Sequence, residues 1–350
     1  MEDFVPGIEF NRGFYAEVVG PIMSAWPHSA ACLGWGSHVL GYDTERSTDH
    51  GWGPRVEVFV GPGDVSAARA AVEAGLPETF ASRPVRYGWD AWPERHHVYV
   101  STLGSWLVAQ LGCDPQLGMS TLDWLVTPQQ KLLEVVRGAV YHDGLGALEP
   151  LRAGLAYFPD HVWRWMVACQ WRRIEQEEAF VGRAAEVGDE LGSQLVAARL
   201  VRELMRLHFL YARRYWPYSK WLGTAYVELP GSAALLAPLR AAIAARSYEE
   251  RERALVAVYE ALMAMHNESG LTPPIDATVR AYYGRPFLVA FAERIVEACR
   301  GAIDDEWLST LPLVGSIDQF ADSTDVLSIP PLARRLRAVY EQGDGTGTGT

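Results

Sequence analysis

Apolar residues recur at every fourth position near the start of the chain. Phe10, Phe14, Val18 and Ile22 share that spacing, which predicts one helix over residues 7–26, closed by Pro27. Ala30 to Leu33 reads as a short buried strand running into Gly34-Trp35-Gly36-Ser37. Val56, Val58 and Val60 alternate with Glu57 and Phe59, so a second strand with two unlike faces is expected there. Asp64 stands where an N-cap would open a helix to about Ala74. His97 to Thr102 is a third strand candidate, leading into a helix over 103–111. This order suits a small mixed sheet covered by helices.

From about Thr127 the period becomes helical almost throughout. Pro128 opens a helix through Arg137, and segments 160–186, 188–214, 232–245, 247–268 and 286–302 carry apolar residues at helical spacing. Pro217, Pro230-Gly231, Pro273-Pro274 and Gly284 mark the breaks. The expectation is an α+β protein: a small mixed-sheet α/β domain over 1–127, an all-α helical bundle over 128–342, and a disordered Gly/Thr tail over 343–350. No internal repeat interrupts this reading.

Composition narrows the function class. A 350-residue chain with 49% apolar residues is long enough for two domains and a sizeable core. Met1-Glu2-Asp3-Phe4 has no basic region followed by an apolar run, so no signal peptide is expected, and no stretch approaches the ~20 apolar residues that span a bilayer. Cys32, Cys113, Cys169 and Cys299 lack metal-ligand or redox spacing and read as reduced, buried small hydrophobes of a cytoplasmic protein. A net charge of −12 without a Lys/Arg run argues against nucleic-acid partners and for a small-molecule substrate. Lys131 and Lys220 are the only lysines.

The glycine-rich turn is the first chemical candidate. Glycines at 34, 36 and 41 let backbone N–H groups approach an anion, and the Ser37 hydroxyl can donate to a phosphate. The alternative is a tight turn that closes a strand. Asp49, after Ser47-Thr48, has the ordinary reading of an N-cap or turn aspartate. No nucleophile elbow, Walker lysine loop, His-Glu-x-x-His or dinucleotide fingerprint occurs.

Gly34-Trp35-Gly36-Ser37 followed by Asp49-His50-Gly51-Trp52-Gly53-Pro54-Arg55 resembles the active-site strand and loop of the nucleotidyltransferase superfamily. Further stretches are similar to the bacterial family called domain of unknown function 4037: Gln176 to Arg183, Gly188 to Ser193, Arg213 to Trp221, His266-Asn267, Arg285 to Phe287 and Gly315 to Phe320. The resemblance implies transfer of a nucleotidyl group from ATP or another NTP to a small acceptor, with Mg2+ held by converging carboxylates. On that reading Asp49 is a metal ligand, Glu57 a substitute second ligand, and His50 an acid/base group. Gly36, Ser37, Arg55, Arg183, Ser193 and Lys220 would hold the phosphates, with Glu178 as base and Tyr215, Tyr218 and Trp221 walling the substrate pocket. Where the family is expected to carry Asp-His-Asp this chain has Gly51, which offers no ligand. The alternative function is therefore a divergent member repurposed for another small-molecule reaction, or for ligand or partner binding. The helical-domain residues also have ordinary readings: Glu178 on a solvated face beside Arg172 and Arg173, and the aromatic group as packing between helices.

Overall fold

A computed structural model describes residues 4–90 and 92–341. The tail expected over 343–350 lies outside the described residues. The chain divides into two compact units. The first comprises the chain up to Asp123, Thr127–Ala156 and Thr324–Arg335; the second comprises Trp124–Val126, Tyr157–Ser323 and the chain from Leu336.

The first unit is built on a mixed sheet of β1 (His28–Cys32), β2 (Arg55–Val60), β3 (Arg86–Trp89), β4 (Trp92–Ser101) and β5 (Ala139–Asp143), in the order β3-β4-β2-β1-β5. Only β2 and β4 run parallel, because the chain leaves β2 through a helix before returning to the sheet. The first helix, α1 (Gly7–Phe14), continues through a π-helical turn at Tyr15–Val19 to Met23. It packs with α2 (Val65–Gly75) over one face of the sheet. Phe14, Val19, Met23, Ala68 and Val72 there bury Val56, Val58, Val60, Val98 and Val100, all at most 4% exposed. Burying each such side chain stabilises the fold by about 1.5–3 kcal/mol, so the alternation of valines in β2 is enough to fix which face is core.

The other face of β2 and β4 is polar. Register sets Arg55 beside His97, Glu57 beside Tyr99 and Phe59 beside Ser101. Helix α3 (Leu103–Leu111) covers part of this face, with Trp106 meeting Phe59 edge-on at 5.4 Å. Helix α4 (Gln129–Val136) lies against α3.

The second unit is helical: α5 (Asp160–Glu177), α6 (Phe180–Glu186), α7 (Glu190–Tyr211), α8 (Leu222–Val227), α9 (Ser232–Ala244), α10 (Tyr248–Glu268) and α11 (Glu293–Gly301). α7 packs against α5, α6, α9 and α10, and buries Leu200, Leu204 and Leu207. Shorter helical turns complete the unit.

Four expectations are corrected. Ala139–Asp143, read within a helical region, is an edge strand paired with β1. β4 begins at Trp92, five residues before the expected strand, and β3 has no counterpart among the expected elements. The helix expected over 160–186 is interrupted at Glu178-Ala179. Within 286–302 only Glu293–Gly301 is helical; Leu288–Val289 instead pairs with Arg280–Ala281, and Phe291 turns the chain with a φ of +54°.

Candidate functional site

The strand β1 ends in the glycine-rich turn, which is held from three sides. The Gly34 N–H donates to the Glu134 carbonyl at 2.7 Å. The Arg55 guanidinium, 1% exposed, donates to the Trp35 carbonyl at 2.7 Å and to the Leu33 carbonyl, and lies 4.7 Å from the centre of the Trp35 ring. Gly36 has a φ of +118°, and a Cβ there would come within 2.6 Å of the His38 ring. His38 is buried, and burial pushes its imidazole down to about 3, keeping it neutral. Gly36 and Ser37 sit half-buried at the bend, while Trp35 stays 39% exposed.

Trp35 forms one wall of a cleft of about 790 Å³ that is also lined by Glu57, Tyr99, Gln110, Arg69, Arg86 and Arg95. The cleft exists because β3 pairs with β4 only as far as His96, leaving the edge of His97–Ser101 open. Part of that edge is met by side chains: Arg69 Nε donates to the Val100 carbonyl at 2.9 Å, and the Val98 N–H donates to His96 Nδ1 at 3.3 Å.

Glu57 is the buried acid of this cleft; the other acid in the lining, Glu73, is paired with Arg86 and His96. Glu57 is only 6% exposed, and its carboxyl is pushed up to about 7 by burial, with the Arg55 charge working in the opposite direction. Nearby, Lys131 donates to Glu134 at 2.6 Å and to Gln110 at 3.3 Å. His97 Nδ1 and the Tyr99 hydroxyl share a hydrogen bond of 2.7 Å. A carboxyl that titrates near neutrality in a partly aromatic cleft is suited to accepting or returning a proton.

The structure separates the residues singled out from the sequence. Arg55 is not presented to the cleft; its donors are directed to the Leu33 and Trp35 carbonyls. Asp49 stands exposed at the end of the turn Glu45–Asp49, and exposed His50 faces Asp90 at 3.3 Å. Gly51 has a φ of +63°, and a Cβ there would meet the Trp35 ring at 2.9 Å. Gly51 thus makes room for aromatic packing by Trp35 and Trp89, whose ring centroids are 5.4 Å apart. Gly51→Asp is accordingly expected to destabilise the first unit by about 1–3 kcal/mol through strain and displacement of Trp35. Urea denaturation checks this; an unchanged midpoint would contradict the packing role.

In the second unit, Glu178 is buried where α5 ends and accepts the Ala292 N–H at 2.9 Å. It does not pair with Arg172 or Arg173, which turn to Glu175 and Glu203. Ser193 is fully buried, donating to the Val181 carbonyl at 2.8 Å and accepting from Arg251 at 2.7 Å. Arg183 is exposed with its guanidinium 5.6 Å from the Phe180 ring. Tyr215 is 5% exposed and packs on Tyr157 and Phe158, whereas Tyr218 accepts from Trp221 Nε1 at 2.8 Å near exposed Lys220.

A two-metal magnesium centre needs several converging oxygens. Asp49 is exposed on a turn and Glu57 is buried with a carboxyl near neutrality. Among the described residues no group of three or more His, Cys, Asp or Glu side chains could hold a metal ion. The residues present do not fit such a centre. Sequence reasoning does not single out Trp35, Arg69, Arg95, Tyr99 or Gln110. Their one legible signal is the unlike second face of β2, since the partner of Glu57 is fixed only by strand register.

Cys32, Cys169 and Cys299 are buried and Cys113 is half-buried, all four as free thiols. Among the described residues no helix is long and apolar enough to cross a membrane. Residues 124–222 match the model of a family described as Domain of unknown function (DUF4037). That stretch includes Glu178, Arg183, Ser193, Tyr215 and Lys220, and leaves out the glycine-rich turn and Asp49. No curated protein and no solved structure matches the chain.

Proposed function

We propose that the first unit is a divergent, nucleotidyltransferase-like module that binds a phosphorylated aromatic small molecule of the nucleotide class in the Trp35–Glu57 cleft. The observation that carries this reading is the composition of that cleft. An exposed indole, three arginines, of which Arg86 is paired with Glu73, and a neutral-range carboxyl line one pocket, which suits a stacked ring, an anionic group and a proton transfer respectively. We further propose a cytoplasmic setting, on the strength of the four free thiols.

Equilibrium dialysis with ATP, with and without magnesium, tests the proposal. ATP is expected to bind with an affinity little changed by a chelator, and Trp35→Ala to weaken it about tenfold or more through lost stacking. Absence of ATP binding would sink the reading. Nucleotidyl transfer to a small acceptor is the second reading, favoured by the acid/base character of Glu57. Release of pyrophosphate from ATP, with or without magnesium and lost in Glu57→Gln, would establish it in place of simple binding.

A further inference from the structure

We propose that the groove formed by α7, α8 and α9 in the second unit binds a single-chain aliphatic carboxylate. The groove encloses about 890 Å³, a volume in the range of small-molecule sites. Its body is apolar and adaptable: Val201 and Met205 from α7 face Leu236 and Ile243 from α9. Ile243 remains 55% exposed although it lines this groove.

Charge identifies the head of the ligand. Lys220 and Arg240 both line the groove, and both side chains are exposed. Among the described residues neither forms an ion pair; the Lys220 ammonium instead rests 4.8 Å from the centre of the Trp221 ring. In a chain carrying 43 acidic against 31 basic side chains, two cations left at an apolar groove call for an anion from outside. Arginine offers a planar fork to a two-oxygen group and lysine adds a point charge. Glu228 also lines the groove, so the lining carries two cations against one acid, and a monoanionic carboxylate balances that excess more closely than a dianionic phosphate. The apolar walls then take the chain. The site lies within the second unit and is independent of the nucleotide-class reading of the first.

The test is calorimetric titration of the full chain with decanoate, kept below micelle-forming concentrations. Acetate, decylamine and decyl phosphate serve as comparison ligands. Decanoate is expected to bind at least tenfold more tightly than any of the three. Lys220→Ala combined with Arg240→Ala is expected to weaken decanoate at least tenfold. Gly223→Phe is expected to abolish binding, because the position lines the groove and a Cβ there has nothing within 4 Å. All three positions are exposed, so the thermal midpoint should stay near that of the parent chain. Equal binding of decylamine or decyl phosphate would overturn the head-group assignment. An affinity within twofold of the parent in either variant would overturn the site.

Discussion

Arg55→Met is expected to destabilise the first unit by about 3–5 kcal/mol, the range found when one partner is removed from a buried charged cluster. The substitution preserves much of the side-chain volume but takes away every guanidinium donor. The Leu33 and Trp35 carbonyls lose their charged partner, and Glu57 and Glu134 lose a nearby positive charge that now lowers both of their pKa values. The Arg55 backbone N–H is untouched, since it donates to Asn11 Oδ1 at 2.7 Å. Arg55→Lys should recover only part of the loss, because one ammonium cannot present a planar fork to two carbonyls. Hydrogen exchange across residues 28–60 reads the first unit by itself. Protection in Arg55→Met equal to that of the parent would show that the guanidinium does not brace the turn.

The pH dependence of stability in the second unit should be governed largely by Glu178. Burial lifts its carboxyl to about 8 from an ordinary value of 4.5, although the backbone N–H groups of Ala292, Phe291 and Ala290 pull the other way. Between those values the folded chain keeps a proton that the unfolded chain has released. Stability from this group is therefore complete below pH 4.5 and falls as pH rises toward 8, by up to about 1.4 kcal/mol per pH unit. Glu178 Oε2 and the Tyr259 hydroxyl are both buried without a hydrogen-bond partner, so neutral glutamine is a tolerable replacement. Glu178→Gln should flatten the decline, gaining about 2–4 kcal/mol relative to the parent between pH 5 and 8. Denaturant midpoints at pH 5, 6, 7 and 8 measure the difference. Parallel curves for the two chains would refute the assignment.

The α+β class is legible because its decisive patterns are periodic. The valines of β2 alternate, and the long helices α7 and α10 keep apolar residues in step over more than five turns. Three strands escape the pattern for identifiable reasons. β5 reads Ala-Val-Tyr-His-Asp and is only half-buried, so it lacks the alternation of a one-faced strand. β3 and the start of β4 are edge elements rich in exposed polar and aromatic groups. Gly51 illustrates a different limit. In sequence it is a missing carboxylate; in three dimensions its conformation and its nearness to Trp35 are requirements of the aromatic packing. Likewise, Glu57 is visible as an acid on a strand, but its neighbours Tyr99 and Trp35 come from register and from the turn.

The return of Thr324–Arg335 to the first unit has a consequence for synthesis. Arg334 donates to Asp123 at 2.6 Å, and Gln130 donates to the Leu327 carbonyl at 2.8 Å, so this late segment helps close structure begun much earlier. Ribosomes add about 5–20 residues per second. The first unit would therefore wait roughly 10–40 seconds after Ala156 is made before its last segment exists, while Tyr157–Ser323 of the second unit is being translated. A chain stopped at Ala156 would carry the sheet without that closure, and an expression strategy that separates the units by a single cut would leave the first one incomplete.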